Sequence, residues 1–301
     1  MLNTPILFLI FNRSDTTQKV FDAIRRVKPR QLFVAADGPR IGKEGEKEKC
    51  EETRNIIKQV DWDCEVKTLF RNENLGCGKA VSGAITWFFE NVEEGIILED
   101  DCLPDPSFFQ YCEELLEKYR FEDQVMHIGG NNFLFNKIKI DDDYYFSRIP
   151  HIWGWATWRR SWLKYDFNIL DWTAVKTSKD FNNLFDKYII KGWINIFNKI
   201  YNHEIDTWDY QWTYCILKNN GLCINPKVNL VSNIGFSELA THTKIKSKFD
   251  SMPSFNIDLK KYPSEIKYNN LADNYILRHN FGFSSLKYIL KIVVNLIKKY
   301  I

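Results

Sequence analysis

Three consecutive acids, Glu99-Asp100-Asp101, close the short apolar run Gly95-Ile96-Ile97-Leu98. An apolar run of this length is expected of a strand covered on both faces, and in open α/β sheets ligands bind beyond the carboxyl ends of such strands. The triplet therefore stands where a ligand would. Adjacent carboxylates repel one another, a divalent cation relieves that repulsion, and oxygen-only ligands favour a hard ion such as Mg²⁺ or Mn²⁺. A solvated acidic turn leading into Pro104-Asp105-Pro106 fits the same residues, so the triplet alone leaves both readings standing.

The elements that would position these acids follow from hydrophobic patterning. Pro5 to Phe11 reads as a buried first strand; it has no basic leader and is too short to span a bilayer, which speaks against a signal peptide or anchor. Asn12-Arg13-Ser14-Asp15 supplies N-caps for a helix to about Val27, and Gln31 to Ala36 reads as a second strand that exits at Asp37-Gly38-Pro39. The charge-rich stretch Gly42 to Glu52 reads as a solvated loop entering a surface helix. A third strand over Glu65 to Phe70 precedes the turn Leu75-Gly76-Cys77-Gly78 and a helix from Lys79 to about Glu90. Strands alternating with helices predict an α/β fold with a largely parallel sheet and right-handed crossovers.

Composition bounds the partners. The 301 residues carry 41 basic and 39 acidic side chains, a balance that offers no global attraction to nucleic acid. The seven cysteines form no CxxC pair and no even framework, which argues against a zinc ribbon and a secreted disulfide scaffold and fits a reducing cytoplasm. From Leu286 to Ile301, Lys287, Lys291, Asn295 and Lys298 share one helical stripe among Leu, Ile and Val. Such a basic amphipathic helix suits an anionic membrane surface, or equally a core or subunit contact.

Two further features carry double readings. Gly76-x-Gly78-Lys79 lacks both the P-loop spacing and a full GxGxxG, so it reads as a tight turn admitting the helix to the sheet, with Lys79 near a diphosphate as the other reading. Tryptophans are abundant in the second half: Trp153, Trp155, Trp158, Trp162, Trp172, Trp193, Trp208 and Trp212. Large aromatics mainly build cores, and Trp208 stands out as a ligand contact because Asp209 follows it.

Taken in order, these residues resemble a GT-A glycosyltransferase, specifically the bacterial relatives of N-acetylglucosaminyltransferase I and its O-mannose-linked counterpart. The marks are Phe11-Asn12-Arg13, Asp37-Gly38, Leu98-Glu99-Asp100-Asp101, Pro104-x-x-Ser107-Phe108-Phe109-x-Tyr111, Gly129-Gly130-Asn131-Asn132, Gly154-Trp155 with Trp162, Trp208-Asp209-x-x-Trp212, and Cys223-Ile224-x-Pro226 leading to Gly235-Phe236. The resemblance runs from about Pro5 to Thr243 and implies a Rossmann-like nucleotide-diphospho-sugar transferase fold, a central mostly parallel sheet flanked by helices. It implies that Arg13 and Asp37 hold uracil, Asp100 the ribose and Glu99 the donor sugar, and that Asp101 binds a Mn²⁺ or Mg²⁺ bridging the diphosphate. Asp209 resembles the catalytic base, although the relatives carry paired acids before the second tryptophan where Tyr210-Gln211 stands here. His242 lies where other GT-A enzymes often place a metal or diphosphate ligand, and a polar-loop surface residue fits it as well. The other four histidines show no metal-ligand spacing.

The expected organisation is a catalytic domain over 1–245, with a donor half to about 125 and an acceptor half over 126–245, followed by a C-terminal extension over 246–301. The expected activity is inverting transfer from a UDP-sugar, GlcNAc or a related hexose, to a glycan or lipid-linked saccharide in bacterial surface polysaccharide synthesis. It is placed in the cytoplasm, peripheral to the membrane. An inactive carbohydrate-binding protein is the alternative from another class. A sugar nucleotidyltransferase would need a glycine-rich basic loop after the first strand, where this chain has Phe11-Asn12-Arg13-Ser14.

Overall fold

The structure is a computed structural model that describes residues 1–235, 249 and 251–283. Strands β1 (Ile6–Ile10), β2 (Gln31–Ala36), β3 (Glu65–Phe70) and β4 (Glu94–Glu99) alternate with helices α1 (Ser14–Val27), α2 (Glu46–Asn55) and α3 (Gly76–Asn91). All four strands run parallel, in the spatial order β3-β2-β1-β4. The ladder aligns Ile10 with Ala36 and Leu9 with Glu99, so the chain leaves β1, β2 and β4 along one edge.

The pleat sorts side chains between two cores. Ile6, Phe8 and Ile10 of β1, Leu32 and Val34 of β2, and Ile96 and Leu98 of β4 face Val20, Phe21 and Ile24 of α1. Leu7 and Leu9, Phe33 and Ala35, and Ile97 face Ala84, Ile85, Phe88 and Phe89 of α3. Burying each large apolar side chain contributes about 1.5–3 kcal/mol, and period-2 alternation leaves every strand a matching set for each face.

Beyond β4 the sheet turns mixed. After β5 (Cys102–Pro104), helix α4 (Ser107–Lys118), β6 (Val125–Gly129) and β7 (Tyr144–Ser147), strand β8 (Trp155–Trp158) inserts antiparallel between β4 and β6. Strand β9 (Leu222–Pro226) then runs parallel to β6 and antiparallel to β7, completing one eight-stranded sheet across both halves of the chain. Strand β10 (Val231–Asn233) pairs antiparallel with β5 in a small ribbon that sets Asn233 opposite Cys102.

A third core joins the helix Lys187–Tyr201 to residues of the C-terminal extension, among them Trp172, Trp193, Phe197, Ala272, Ile276 and Leu277. Asp273, fully buried, pairs with Arg148 at 2.8 Å, while the Phe185 and Tyr268 rings sandwich the guanidinium at 3.9 and 3.8 Å. Residues 251–283 thus pack against the domain; the basic helix expected over 286–301 lies outside the described residues. Among the described residues no helix is long and apolar enough to cross a membrane.

The charge-rich stretch departs from its solvated reading at Glu46 and Cys50, both buried. Glu46 is 5 % exposed and accepts from the Arg40 backbone N–H at 2.7 Å and from Asn12 Nδ2 at 3.0 Å. One member of an apparent surface run therefore ties α2 to the loop after β1, a contact fixed by the approach of segments 34 residues apart.

Candidate active site

A cavity of about 470 Å³ opens at the edge where β1, β2 and β4 end. Its wall includes Arg13 from the loop after β1, Asp37 after β2, Arg71 after β3, Gly76 and Cys77 at the start of α3, and Glu99, Asp100 and Asp101. Five residues expected at the donor site, Arg13, Asp37, Glu99, Asp100 and Asp101, are therefore brought together, by strand order and register rather than by sequence proximity.

The pleat separates the three acids. Glu99 continues the side of β4 that faces α3, and the Asp209 carboxylate is among the charges acting on it. Asp100 turns the other way, accepting from the Phe11 backbone N–H at 3.3 Å and pairing with the Arg13 guanidinium. Arg13 Nη2 also donates to Asp101 Oδ2 at 2.9 Å. The repulsion that the sequence assigns to a cation is thus relieved on two of the three acids by a side chain of this chain.

Burial, then the charges of Asp101 and Asp100, push the Glu99 carboxyl up to about 8. Burial lifts Asp100 to about 6 despite Arg13. Arg13 itself loses by burial but gains more from Asp100 and Asp101, and stays protonated. A carboxyl whose folded pKa is raised contributes stability below its unfolded pKa and loses it as pH rises through the folded value. Ligand-free protein should therefore melt at progressively lower temperature as pH rises from about 4.5 to about 8. Glu99→Gln, which cannot ionise, should flatten that fall, matching wild type below about pH 4.5 and exceeding it above about pH 8; parallel melting curves would rule the assignment out.

Asp101 is held from the β5/β10 ribbon. Its backbone carbonyl accepts from the Ile234 N–H at 2.8 Å, and Asn233 Nδ2 reaches its Oδ1 at 3.4 Å. Gly235 closes over the same carboxylate, where a Cβ would stand 2.2 Å from Asp101 Oδ2 and 2.8 Å from Arg13 Nη1. No side chain fits there, which gives the Gly235 of the sequence pattern a steric reason.

Asp37 accepts from the Leu75 N–H at 3.1 Å and the Gly38 N–H at 3.0 Å, yet burial outweighs those bonds and raises its pKa. The cation acting on it is Arg71, lowered by burial and raised by Asp37. The sequence reading missed Arg71; directly after β3, it carries no local signal beyond its charge. Acceptor and cation on one wall match a group with a donor edge beside an acceptor edge.

Asp209 opens the helix Asp209–Lys218, and its carboxylate accepts from the Thr207 hydroxyl. The positive end of a helix dipole is a favourable place for a carboxylate. Trp208 is placed differently from its reading as a ligand contact: it is 2 % exposed and stacks on Trp155 at 5.6 Å. Trp155 stacks in turn on His127, whose Nδ1 accepts from Trp212 Nε1 at 3.2 Å. The indole faces of this group are covered by one another. The tryptophan that lines the cavity is Trp153.

The glycine turn has a cause that neither sequence reading contained. Asp206 Oδ2 and Oδ1 accept from the backbone N–H groups of Cys77 at 3.0 Å and Gly78 at 2.9 Å, and Lys79 is exposed away from the cavity wall. His242 lies outside the described residues. Among the described residues no three His, Cys, Asp or Glu side chains converge as a metal cage. The oxygen donors present suit the other common arrangement for Mg²⁺, one or two carboxylates completed by a ligand's phosphates.

No protein-family model matches the chain, and no curated protein matches it. Among solved structures it is similar to HddC from Yersinia pseudotuberculosis, with 12 % identity and a TM-score of 0.32 over 54 % of this chain and 80 % of that one. The 4-diphosphocytidyl-2C-methyl-D-erythritol synthase of Anaerococcus prevotii gives 8 % identity and a TM-score of 0.31 over 54 % and 74 % of the two chains. S. aureus TarS 1-349 gives 8 % and 0.32 over 52 % and 48 %. Likenesses this distant leave the site's chemistry to the chain's own residues.

Proposed function

We propose that this chain is an inverting glycosyltransferase that moves a sugar from a UDP-sugar to a saccharide or glycolipid acceptor. The observation that carries the reading is the convergence of Arg13, Asp37, Glu99, Asp100 and Asp101 on one cavity at the carboxyl edge of the parallel strands. Asp37 and Arg71 suit the edge of uracil, which offers N3–H beside carbonyl oxygens, whereas cytosine places a bare nitrogen where Asp37 needs a donor. Asp100 serves the ribose and Glu99 the sugar. Asp101, completed by the donor's phosphates, would hold a Mn²⁺ or Mg²⁺, which offsets the charge growing on the leaving diphosphate. Asp209 takes the proton of the acceptor hydroxyl as its oxygen attacks the anomeric carbon, the C–O bond to the diphosphate breaks on the opposite face, and the anomeric centre inverts.

The rival nucleotidyltransferase reading lacks its loop, since only Phe11-Asn12-Arg13 separates β1 from α1. The test is UDP release from a panel of UDP-sugars with Mn²⁺, with and without saccharide acceptors. One active donor supports transfer; donor binding without turnover across the panel and acceptors supports the inactive carbohydrate-binding alternative. Base recognition is tested by calorimetry: Asp37→Asn should weaken UDP binding ~10–100-fold, the loss of a charge-assisted hydrogen bond, and shrink the preference for UDP over CDP. An unchanged UDP/CDP ratio would remove Asp37 from base recognition.

A further inference from the structure

We infer that Asp206 is a positioning residue that locks the loop carrying Asp209 onto the first turn of α3, and so sets the base against the donor cavity. The inference rests on the glycosyltransferase reading and adds a residue to its machinery. The two elements belong to different halves of the chain, about 130 residues apart, yet Asp206 accepts from the N–H groups of both Cys77 and Gly78. These amides lie in the first turn of α3, where a helix leaves its N–H groups without intrahelical partners.

The approach is closer than side chains on α3 would permit. A Cβ on Gly76 would stand 2.5 Å from Asp206 Oδ2, and one on Gly78 would stand 2.6 Å from Asp206 Oδ1 and 2.8 Å from the Thr207 carbonyl oxygen. The clasp is one residue from Thr207, whose hydroxyl holds the Asp209 carboxylate, and Trp208 beyond it is wedged against Trp155. The Asp206 clasp and the buried Trp208 therefore fix the loop on either side of Thr207. Cys77, which carries one of the clasped amides, lines the cavity and feels the charges of Glu99, Asp206 and Asp209 together. Asp206 also lines the cavity, with both carboxylate oxygens accepting from the amides of α3, and its function there is to place the base.

The experiment compares wild type with Asp206→Ala, Asp206→Asn and Gly78→Ala, using the active donor and an acceptor. Displacing a reacting group by about 1 Å costs on the order of 10²-fold, so Asp206→Ala should lower kcat ~30–100-fold while UDP affinity by calorimetry changes less than ~3-fold. Asp206→Asn keeps one carbonyl acceptor and should recover part of kcat. Gly78→Ala pushes the loop away through the Thr207 carbonyl, so it should lower both the melting temperature and kcat while UDP affinity of the folded variant changes less than ~3-fold. A purely stabilising role would move the melting temperature and leave kcat of the folded variant near the wild-type value. Folded Asp206→Ala with near-wild-type kcat, or with equal losses of kcat and UDP affinity, overturns the positioning role alone. Wild-type protein with no turnover on any donor overturns the glycosyltransferase reading and this role with it.

Discussion

Asp101→Ala should abolish sugar transfer, and EDTA should do the same to the wild-type protein. The leaving group is a diphosphate whose charge grows as the glycosidic bond breaks, and a Lewis acid contributes several kcal/mol at that point, equivalent to a ~10³-fold or greater loss of rate on its removal. Asp101 is suited to the ion because its carboxylate stays more accessible, at 14 %, than that of Asp100 beside it, at 6 %. The substitution should leave the fold intact. Arg13 keeps Asp100 as its partner, and the ribbon contact from Ile234 uses the Asp101 backbone carbonyl, which alanine retains. The measurements are initial rates with Mn²⁺, with EDTA and after Mn²⁺ is restored, beside calorimetry of UDP with and without the ion. Full activity in EDTA would remove the metal from the mechanism, and full activity of Asp101→Ala with Mn²⁺ would move the ion to other residues.

Asp209→Asn should retain donor binding and lose turnover by ~10²–10⁴-fold, the range lost with a general base. Asparagine preserves the size of the side chain and its hydrogen bond from Thr207, so the helix start and the Trp208 stack remain, but an amide cannot accept the acceptor's proton. The deciding comparison is between UDP affinity, expected to hold, and kcat with a saccharide acceptor. A variant that turns over at the wild-type rate makes Asp209 structural and removes it as the base. Inversion is read independently from the anomeric configuration of the product.

Much of the fold is legible in local patterning. The helix expected to Val27 runs Ser14–Val27, and the strand expected over 31–36 runs Gln31–Ala36. The helix of the glycine turn begins at Gly76, three residues before the expected start, because Asp206 supplies acceptors that no neighbour in sequence could. The antiparallel insertion of β8 beside β4 has no sequence sign, since Trp155-Ala156-Thr157-Trp158 is buried on both faces and its direction depends on where the preceding loop returns it.

Within the site, the acids at the end of β4 and Asp37 at the end of β2 are fixed by the chain itself, because an apolar run that must be buried delivers whatever follows it to the sheet edge. Tertiary structure alone decides their partners. Arg13 meets Asp100 across 87 residues, Gly235 closes over Asp101, and Asp206 meets α3 across about 130 residues. It also decides which tryptophan reaches the cavity: Trp208 follows the pattern of a ligand contact but is buried against Trp155, while Trp153 lines the wall. The division has a physical origin. Burial and pleat period are properties of a segment and are written in its residues, whereas charge pairing and close approach are properties of two segments and arise only when strand order brings them together.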